Sequence, residues 1–406
     1  GETQDKAGDD SQAGKLKHWW KRFDNPKLNA LIDTALADNL DIATARARLK
    51  QARAVTVRTQ SRRWPQIDIE GRSQDSHRDG KAQEGFSEVG AALDWELDVF
   101  NRIGAQAEAD RLEAAARAAG VSTARLRISA EVARAYYGAV AQARQLDVLR
   151  DQVKSDREFV NLTQRRFDQG IANKVDVLQA KGQLAETRSR IPGAEAELGV
   201  LERRLDVLLG QAPDGKDRIT SQDKFVKLDD IAPIGVPSDL LLNRPDLRAA
   251  RRELVAADAE IAAAIAERLP QFTLDGSYLL ADGPGFAGPV ASISTLVVQP
   301  LLDWGQRRAQ VRENEALYQQ RLAEFTQRYI TAIGEVENAL ERERRQRTFI
   351  DRTRERRDVL SQTLQQTRSR FQQGITDYLP VLDAVEELQV VERELVRARR
   401  DLIERR

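Results

Sequence analysis

The chain has no cysteine among its 406 residues. Disulfides, thiolate metal sites and cysteine nucleophiles are therefore excluded. Methionine is also missing, at residue 1 included, as expected of a processed or engineered form whose leader has been removed. The only two histidines, His18 and His77, stand far apart, so no histidine metal cluster or nucleophile triad can be built from them. No run of about 18 apolar residues occurs, which excludes a transmembrane helix and leaves β-strands as the only route across a membrane. Net charge is lacking too, with 64 Lys and Arg against 64 Asp and Glu. A phosphate-binding surface needs a basic excess, so nucleic acid is not an expected partner. Gly283, Gly285 and Gly288 spell G-x-G-x-x-G. A dinucleotide loop needs a strand before it and a helix after it, whereas strands are expected on both sides here, so the motif reads as a hairpin loop. The sequence predicts no enzyme, no cofactor and no metal site.

What is abundant is charge, at 32%, with only 5% aromatics. That balance suits long solvated helices better than a sphere. An internal repeat organises them. Arg166-Phe167-Asp168-Gln169-Gly170-Ile171 recurs as Arg370-Phe371-Gln372-Gln373-Gly374-Ile375. In the same register Val177-Leu178 meets Val381-Leu382, Ala180 meets Ala384, and Leu97 and Phe100 meet Leu301 and Trp304. One residue of slippage further upstream, Pro65-Gln66 meets Pro270-Gln271.

Each copy reads as a helix, a β-hairpin, a very long helix and a returning helix. The expected organisation is an N-terminal extended segment over 1–26, its first 14 residues polar and disordered. A first repeat follows over 27–240, with a hairpin at about 66–99, helices over about 103–209 and an equatorial segment at 210–240. The second repeat spans 241–406, with a hairpin at about 271–300 and helices over about 306–404. Gly170 and Gly374 are placed to cap the long helices with positive φ. Ile191, Ala194, Leu198, Leu201, Leu205 and Leu208 recur at steps of three and four, a coiled-coil seam, and Pro192 should kink that helix. The strands alternate with period two: Val89, Ala91, Leu93, Trp95 and Leu97 on one face, Asp94, Glu96 and Asp98 on the other. The fourth strand, about 291–299, alternates less cleanly. Four such strands cannot close a barrel, and an open edge is forbidden in lipid. Either the sheet is soluble, or several subunits complete one barrel.

Several ordered pieces resemble one family. They are Trp19-Trp20 with Phe23 and Pro26, Trp95-Glu96-Leu97-Asp98-Val99-Phe100, Glu131 through Tyr137, Ile191-Pro192, Leu208-Leu209-Gly210, Arg244-Pro245-Asp246, and Arg370 through Ala384. Together they resemble the TolC-like outer membrane factors, in the lipoprotein branch that serves tripartite resistance-nodulation-division multidrug efflux systems. The resemblance covers about residues 16–400.

It implies a mainly α fold with a small membrane β part, trimerising into a 12-stranded β-barrel continued by a 12-helix α-barrel. It implies a channel in the outer membrane of a Gram-negative bacterium, reaching into the periplasm. Its partners would be two further copies, outer-membrane lipid, a periplasmic adaptor protein and an inner-membrane pump. The branch closes its periplasmic tip with an Arg-Tyr pair and a later Asp. Carried over, these are Arg370, Phe371 and Asp383, with Asp377 and Asp176 nearby. Phe371 departs from the pattern, because it has no hydroxyl to hydrogen-bond. Gly170 and Gly374 would be the turns where the adaptor docks, and Trp95 and Trp304 would be aromatics at the membrane interface. The branch begins with a lipid-modified cysteine, which Gly1-Glu2-Thr3 does not provide. Two other readings stand beside this one: a duct of the same fold for type I protein secretion, and a soluble coiled-coil scaffold.

Overall fold

A computed structural model describes residues 18–78, 81–220, 223–226, 228, 243–283 and 286–405. The polar N-terminal segment, Gly285 of the glycine motif and much of the equatorial segment lie outside these residues.

A 3-10 turn at Trp19–Phe23 leads into α1 (Pro26–Asp38) and α2 (Leu40–Ser61). The first hairpin is β1 (Gln66–Arg78) and β2 (Lys81–Leu97), followed by α3 (Arg102–Asp168) and α4 (Lys174–Leu208). The second copy gives α5 (Pro245–Ala266), β3 (Gln271–Gly283), β4 (Phe286–Val298), α6 (Gln306–Gln372) and α7 (Leu379–Arg405). The chain is therefore mainly helical with one small sheet. Among the described residues, no helix is long and apolar enough to cross a membrane. β4 starts five residues before the expected start of the fourth strand at about 291, because Gly288 and Pro289 blur the alternation without breaking the ladder. Helix α4 runs continuously through Pro192.

The residues fall into two compact units. One, drawn from 43–123 and 237–332, holds the sheet. Its strands lie in the order β1-β2-β3-β4, each antiparallel to the next. The register sorts the side chains into two faces, since directly paired residues share a face. Ile67, Leu93 and Ile293 line one row, and Ile69, Ala91 and Tyr278 the next. The intervening rows carry Gln66, Asp94, Asp275 and Ser294, then Asp68, Ala92, Ser277 and Ser292. One face is apolar across all four strands, and these rows of the other are acidic and hydroxylic, with Leu279, Val290 and Leu296 beside them. Ile67, Ile69, Tyr278 and Ile293 are exposed. Asp98 starts α3 by accepting from the backbone N–H groups of Ile103 and Gly104 at 2.9 and 2.7 Å. Asp303 does the same for Gly305 and Arg307 before α6. A carboxylate at a helix N-terminus satisfies orphan donors and the helix dipole together.

The other unit, drawn from 1–42, 124–236 and 333–406, is helical. Its main core joins the N-terminal aromatics to the middle of α3 and the end of α4. Trp20, Phe23, Leu28 and Ile32 are buried with Tyr136, Tyr137, Leu205 and Leu208. Phe23 meets Tyr137 edge-on at 5.7 Å. Asn39 ends α1 and opens α2: its Oδ1 accepts from Asp41 and Ile42 N–H, and its Nδ2 donates to Leu208 O at 2.9 Å. Asp223 gathers Lys27 Nζ at 2.6 Å, Tyr136 Oη at 2.9 Å and Thr220 N–H at 2.8 Å. Burial alone would raise its pKa, but the lysine, the backbone N–H and the tyrosine outweigh it and hold the carboxyl below its ordinary value.

Candidate functional site

The two helix-to-helix turns lie at the same end of the helical unit. Both close identically. Gly170 N–H donates to Phe167 O and Ile171 N–H to Arg166 O, at 2.9 and 2.8 Å. Gly374 N–H donates to Phe371 O and Ile375 N–H to Arg370 O, both at 3.0 Å. Each is the paired-bond motif that ends a helix on a left-handed residue. The φ values of 73° and 76° explain why glycine stands at both positions.

Beyond the turns the copies diverge. Asn173 and Asp176 cap α4 reciprocally: Asn173 Oδ1 accepts from Asp176 N–H at 2.9 Å, and Asp176 Oδ2 from Asn173 N–H at 3.2 Å. Asp176 is buried by this role. In the second copy Pro380 replaces that aspartate, and Tyr378 starts α7 with its own carbonyl, accepting from Val381 and Leu382 N–H. The Tyr378 ring turns inward and is 1% exposed. It packs on Phe371, itself 2% exposed, at 5.6 Å, and on Phe159 at 6.4 Å. Ala180, Val381 and Val385 complete this cluster. Burial, and then the negative charges of Asp156, Glu386 and Asp176, push the Tyr378 hydroxyl pKa upward, so it stays neutral.

One side chain clasps the two turns. Arg166, from the end of α3, lies over the Phe371 ring at 4.6 Å. Its Nη1 donates to Gln372 O, at the end of α6, at 2.9 Å. A cation is doubly favoured there, by the ring face and by the helix C-terminus. Arg370, the same position in the second copy, is exposed and makes no ion pair or side-chain hydrogen bond among the described residues. Asp377 and Asp383 are likewise exposed. Asp383 lies near Glu386, whose pKa is raised by burial and then by Glu186 and Asp383, so this side of α7 is anionic. Within one chain, then, Phe371 sits in a clasp made by Arg166, while Arg370, Asp377 and Asp383 point to no partner among the described residues.

Trp95 and Trp304, expected at a membrane interface, lie in the sheet unit. Trp95 Nε1 donates to Arg63 O at 3.0 Å. Trp304 sits at φ 52° and is 91% exposed.

Deeper in the helical unit is a polar cluster that the sequence reading missed. Asp156 of α3, 1% exposed, accepts from Thr187 Oγ1 at 2.6 Å and from Gln389 Nε2 at 2.8 Å. Gln183 Nε2 donates to Gln389 Oε1 at 3.0 Å. Gln152 Nε2 donates to Glu392 Oε2 at 2.9 Å, and Arg393 Nη1 donates to Gln152 Oε1 at 2.7 Å. The cluster ties α7 to both α3 and α4. Burial raises the Asp156 pKa, and the hydrogen bonds from Thr187 and Gln389 offset this only in part. The signal was present: Leu149, Gln152, Asp156, Phe159 and Thr163 step by three and four, which puts polar residues in a buried seam.

A four-stranded antiparallel sheet with an exposed apolar face, in a chain that also carries two long helical hairpins, defines the class: a membrane-strand protein with a helical extension. The comparisons carry this further. A profile of the outer membrane efflux protein family matches residues 31–211 and 236–406. The chain belongs to that family, which consists of outer-membrane channels and not of enzymes. Nodulation protein T of Rhizobium leguminosarum bv. trifolii is 28% identical over 94% of this chain and 84% of its own length. The probable outer membrane lipoprotein SilC of Salmonella typhimurium is 27% identical over 90% and 81%. Among solved structures, the outer-membrane channel OprN superposes with a TM-score of 0.90 at 28% identity, covering 95% of this chain and 89% of that one. CusC gives 0.85 at 26%, covering 94% and 91%.

Proposed function

We propose that this chain is one subunit of a homotrimeric exit duct of a tripartite efflux pump. It conducts small molecules passively and is gated at the two helical turns. The sheet carries the reading. Its outer face is apolar and exposed, its inner face carries the acidic and hydroxylic rows, and its outermost strands β1 and β4 have one neighbour each. In lipid both edges need partners. Three copies supply 12 strands, enough for a closed barrel around a water-filled lumen. The soluble scaffold reading leaves that apolar face without a role.

The gate follows from the turns. Arg166 on Phe371 and Gln372 holds the second hairpin against the first within a subunit. Arg370 and Asp383 make no ion pair among the described residues, and around a threefold axis they meet their counterparts. Three Asp383 carboxylates there form an anionic ring, and Arg370 reaches a carboxylate of the next copy. Asp377 borders the same ring, while Asp176 holds the α4 start that supports it. An adaptor protein docks at the Gly170 and Gly374 turns and biases the inner hairpins outward. The inner-membrane pump supplies the energy.

The test is the particle mass in detergent together with single-channel conductance in planar bilayers. A trimer whose conductance rises in Asp383→Ala with Arg370→Ala is the expected outcome. A monomer, or an unchanged conductance, overturns the reading.

A further inference from the structure

We propose that the cavity beside Pro192 binds a small, doubly charged oxyanion, with hydrogen phosphate as the best fit. This site does not depend on the duct reading. The cavity is of a size for a tetrahedral oxyanion with its remaining waters.

 Its volume of about 240 Å³ compares with about 420 Å³ for the groove beside Trp19 and Tyr137. It lies between α3, α4 and α7, all within the helical unit.

Four guanidinium groups line it, from Arg190 of α4 and Arg393, Arg397 and Arg400 of α7, and no carboxylate does. Two of the four are already neutralised. Arg190 pairs with Glu186 at 2.6 Å, and Arg400 with Asp401 at 2.6 Å. The other two are not. Arg393 is 8% exposed and gives its one hydrogen bond to an uncharged acceptor, Gln152 Oε1. Arg397 has no ion pair or hydrogen bond among the described residues. Glu186 and Glu392 offset the charge of Arg393 in part, and Asp156 also feels it; Glu186 is engaged by Arg190, and Glu392 accepts from the uncharged Gln152. Burial, then Arg190 and Arg397, lower the Arg393 pKa.

Like charges converging on a partly desolvated space repel, and an anion between them removes that repulsion. Guanidinium forks match oxyanions two bonds at a time. A second observation points to the same ligand. Gln145 also lines the cavity and is 7% exposed, and its Oε1 is buried with no hydrogen-bond partner. Hydrogen phosphate answers both needs. Its charged oxygens accept from Arg393 and Arg397, and its P–OH donates to Gln145 Oε1. Sulfate has no such proton at neutral pH. Once filled, the site ties α4 to α7 at the level of Pro192.

The test is calorimetric titration of the full chain in detergent with sodium phosphate at pH 7, at constant ionic strength set by chloride. Saturable binding of phosphate is expected, with sulfate weaker. Arg397→Gln weakens phosphate at least tenfold. Gln145→Leu weakens phosphate but leaves sulfate unchanged. Arg352→Gln, which removes the same charge from an exposed site paired with Glu355 on its own helix, changes neither. Absence of saturable heat overturns the proposal. So does an equal loss in Arg352→Gln and Arg397→Gln, which would mean general attraction of anions to the surface. Should Arg397→Gln fail to assemble, thermal unfolding of the unaltered protein decides: a melting temperature that rises with phosphate but not with chloride supports the site, and a flat one overturns it.

Discussion

The two helical turns share one backbone solution and differ in everything attached to it. Both end a 67-residue helix on a glycine near φ 75° with the same pair of hydrogen bonds. The first turn is then finished by polar capping, from Asn173 and Asp176. The second is finished by aromatic burial, with Tyr378 and Phe371 inside the cluster. The arginines have also parted: Arg166 is engaged across the turns, and Arg370 stays exposed. Duplication thus kept the bend, which only a few backbone geometries permit. It left the contacts free to become unequal, and an unequal pair is what the proposed gate, with one fixed and one moving hairpin, requires.

Removing the aromatic half should show the inequality most. Tyr378→Ala empties a buried site between two rings, and a loss of about 3–5 kcal/mol is expected. The counterpart change, Lys174→Ala, should stay within about 0.5 kcal/mol. Denaturant unfolding followed by circular dichroism measures both. Similar losses at the two positions would erase the distinction. The arginines give a smaller contrast. Arg166→Ala should lose about 1–2 kcal/mol, from the ring contact and the charged hydrogen bond together, and should raise the conductance of the isolated trimer. Arg370→Ala alone should leave the unfolding curve of a subunit nearly unchanged. An Arg166→Ala protein with normal stability and conductance would remove the clasp from the gate. Where the turns agree, the effects should agree: Gly170→Ala and Gly374→Ala should each lose about 1 kcal/mol, because both force a Cβ into left-handed backbone.

The sequence carried the architecture because its signals are periodic. Glycine at the turns, alternation of Val89 through Leu97, and the three-four steps of α4 each follow from a backbone repeat that a single chain displays. The unequal contacts were not legible in the same way. Arg166 and Arg370 stand in closely similar local sequence, and only the packing of α3 against α6 decides which one meets Phe371. Asp176 looked like a gate carboxylate, yet its spacing from Asn173 is also that of a capping box, and that is the contact it makes. Asp156 was hidden among 64 acidic residues, although its place in the seam beside Leu149 and Phe159 set it apart.

That seam supplies the finest test of the comparison, since it is where the second hairpin is tied to the first by charge. Asp156 is a carboxyl whose folded pKa lies above its ordinary 3.8, chiefly through burial. Folding therefore favours its protonated form. The stability it contributes is fully present below the unfolded value and is lost as pH rises through the raised folded value. Acidifying from pH 7 should thus relieve a penalty that Asp156→Asn, having no charge to bury, does not carry. Asparagine keeps one acceptor for Thr187 but turns an N–H toward Gln389 Nε2, so Gln389 must rotate its amide and give up the bond from Gln183. The variant should be the less stable form in acid and should close the gap as pH rises toward 7. Unfolding curves of both proteins, taken across pH 4 to 7, give the difference directly. A difference independent of pH would mean that Asp156 titrates as an ordinary surface carboxyl, and that the tie between α7 and the first hairpin is a matter of packing alone.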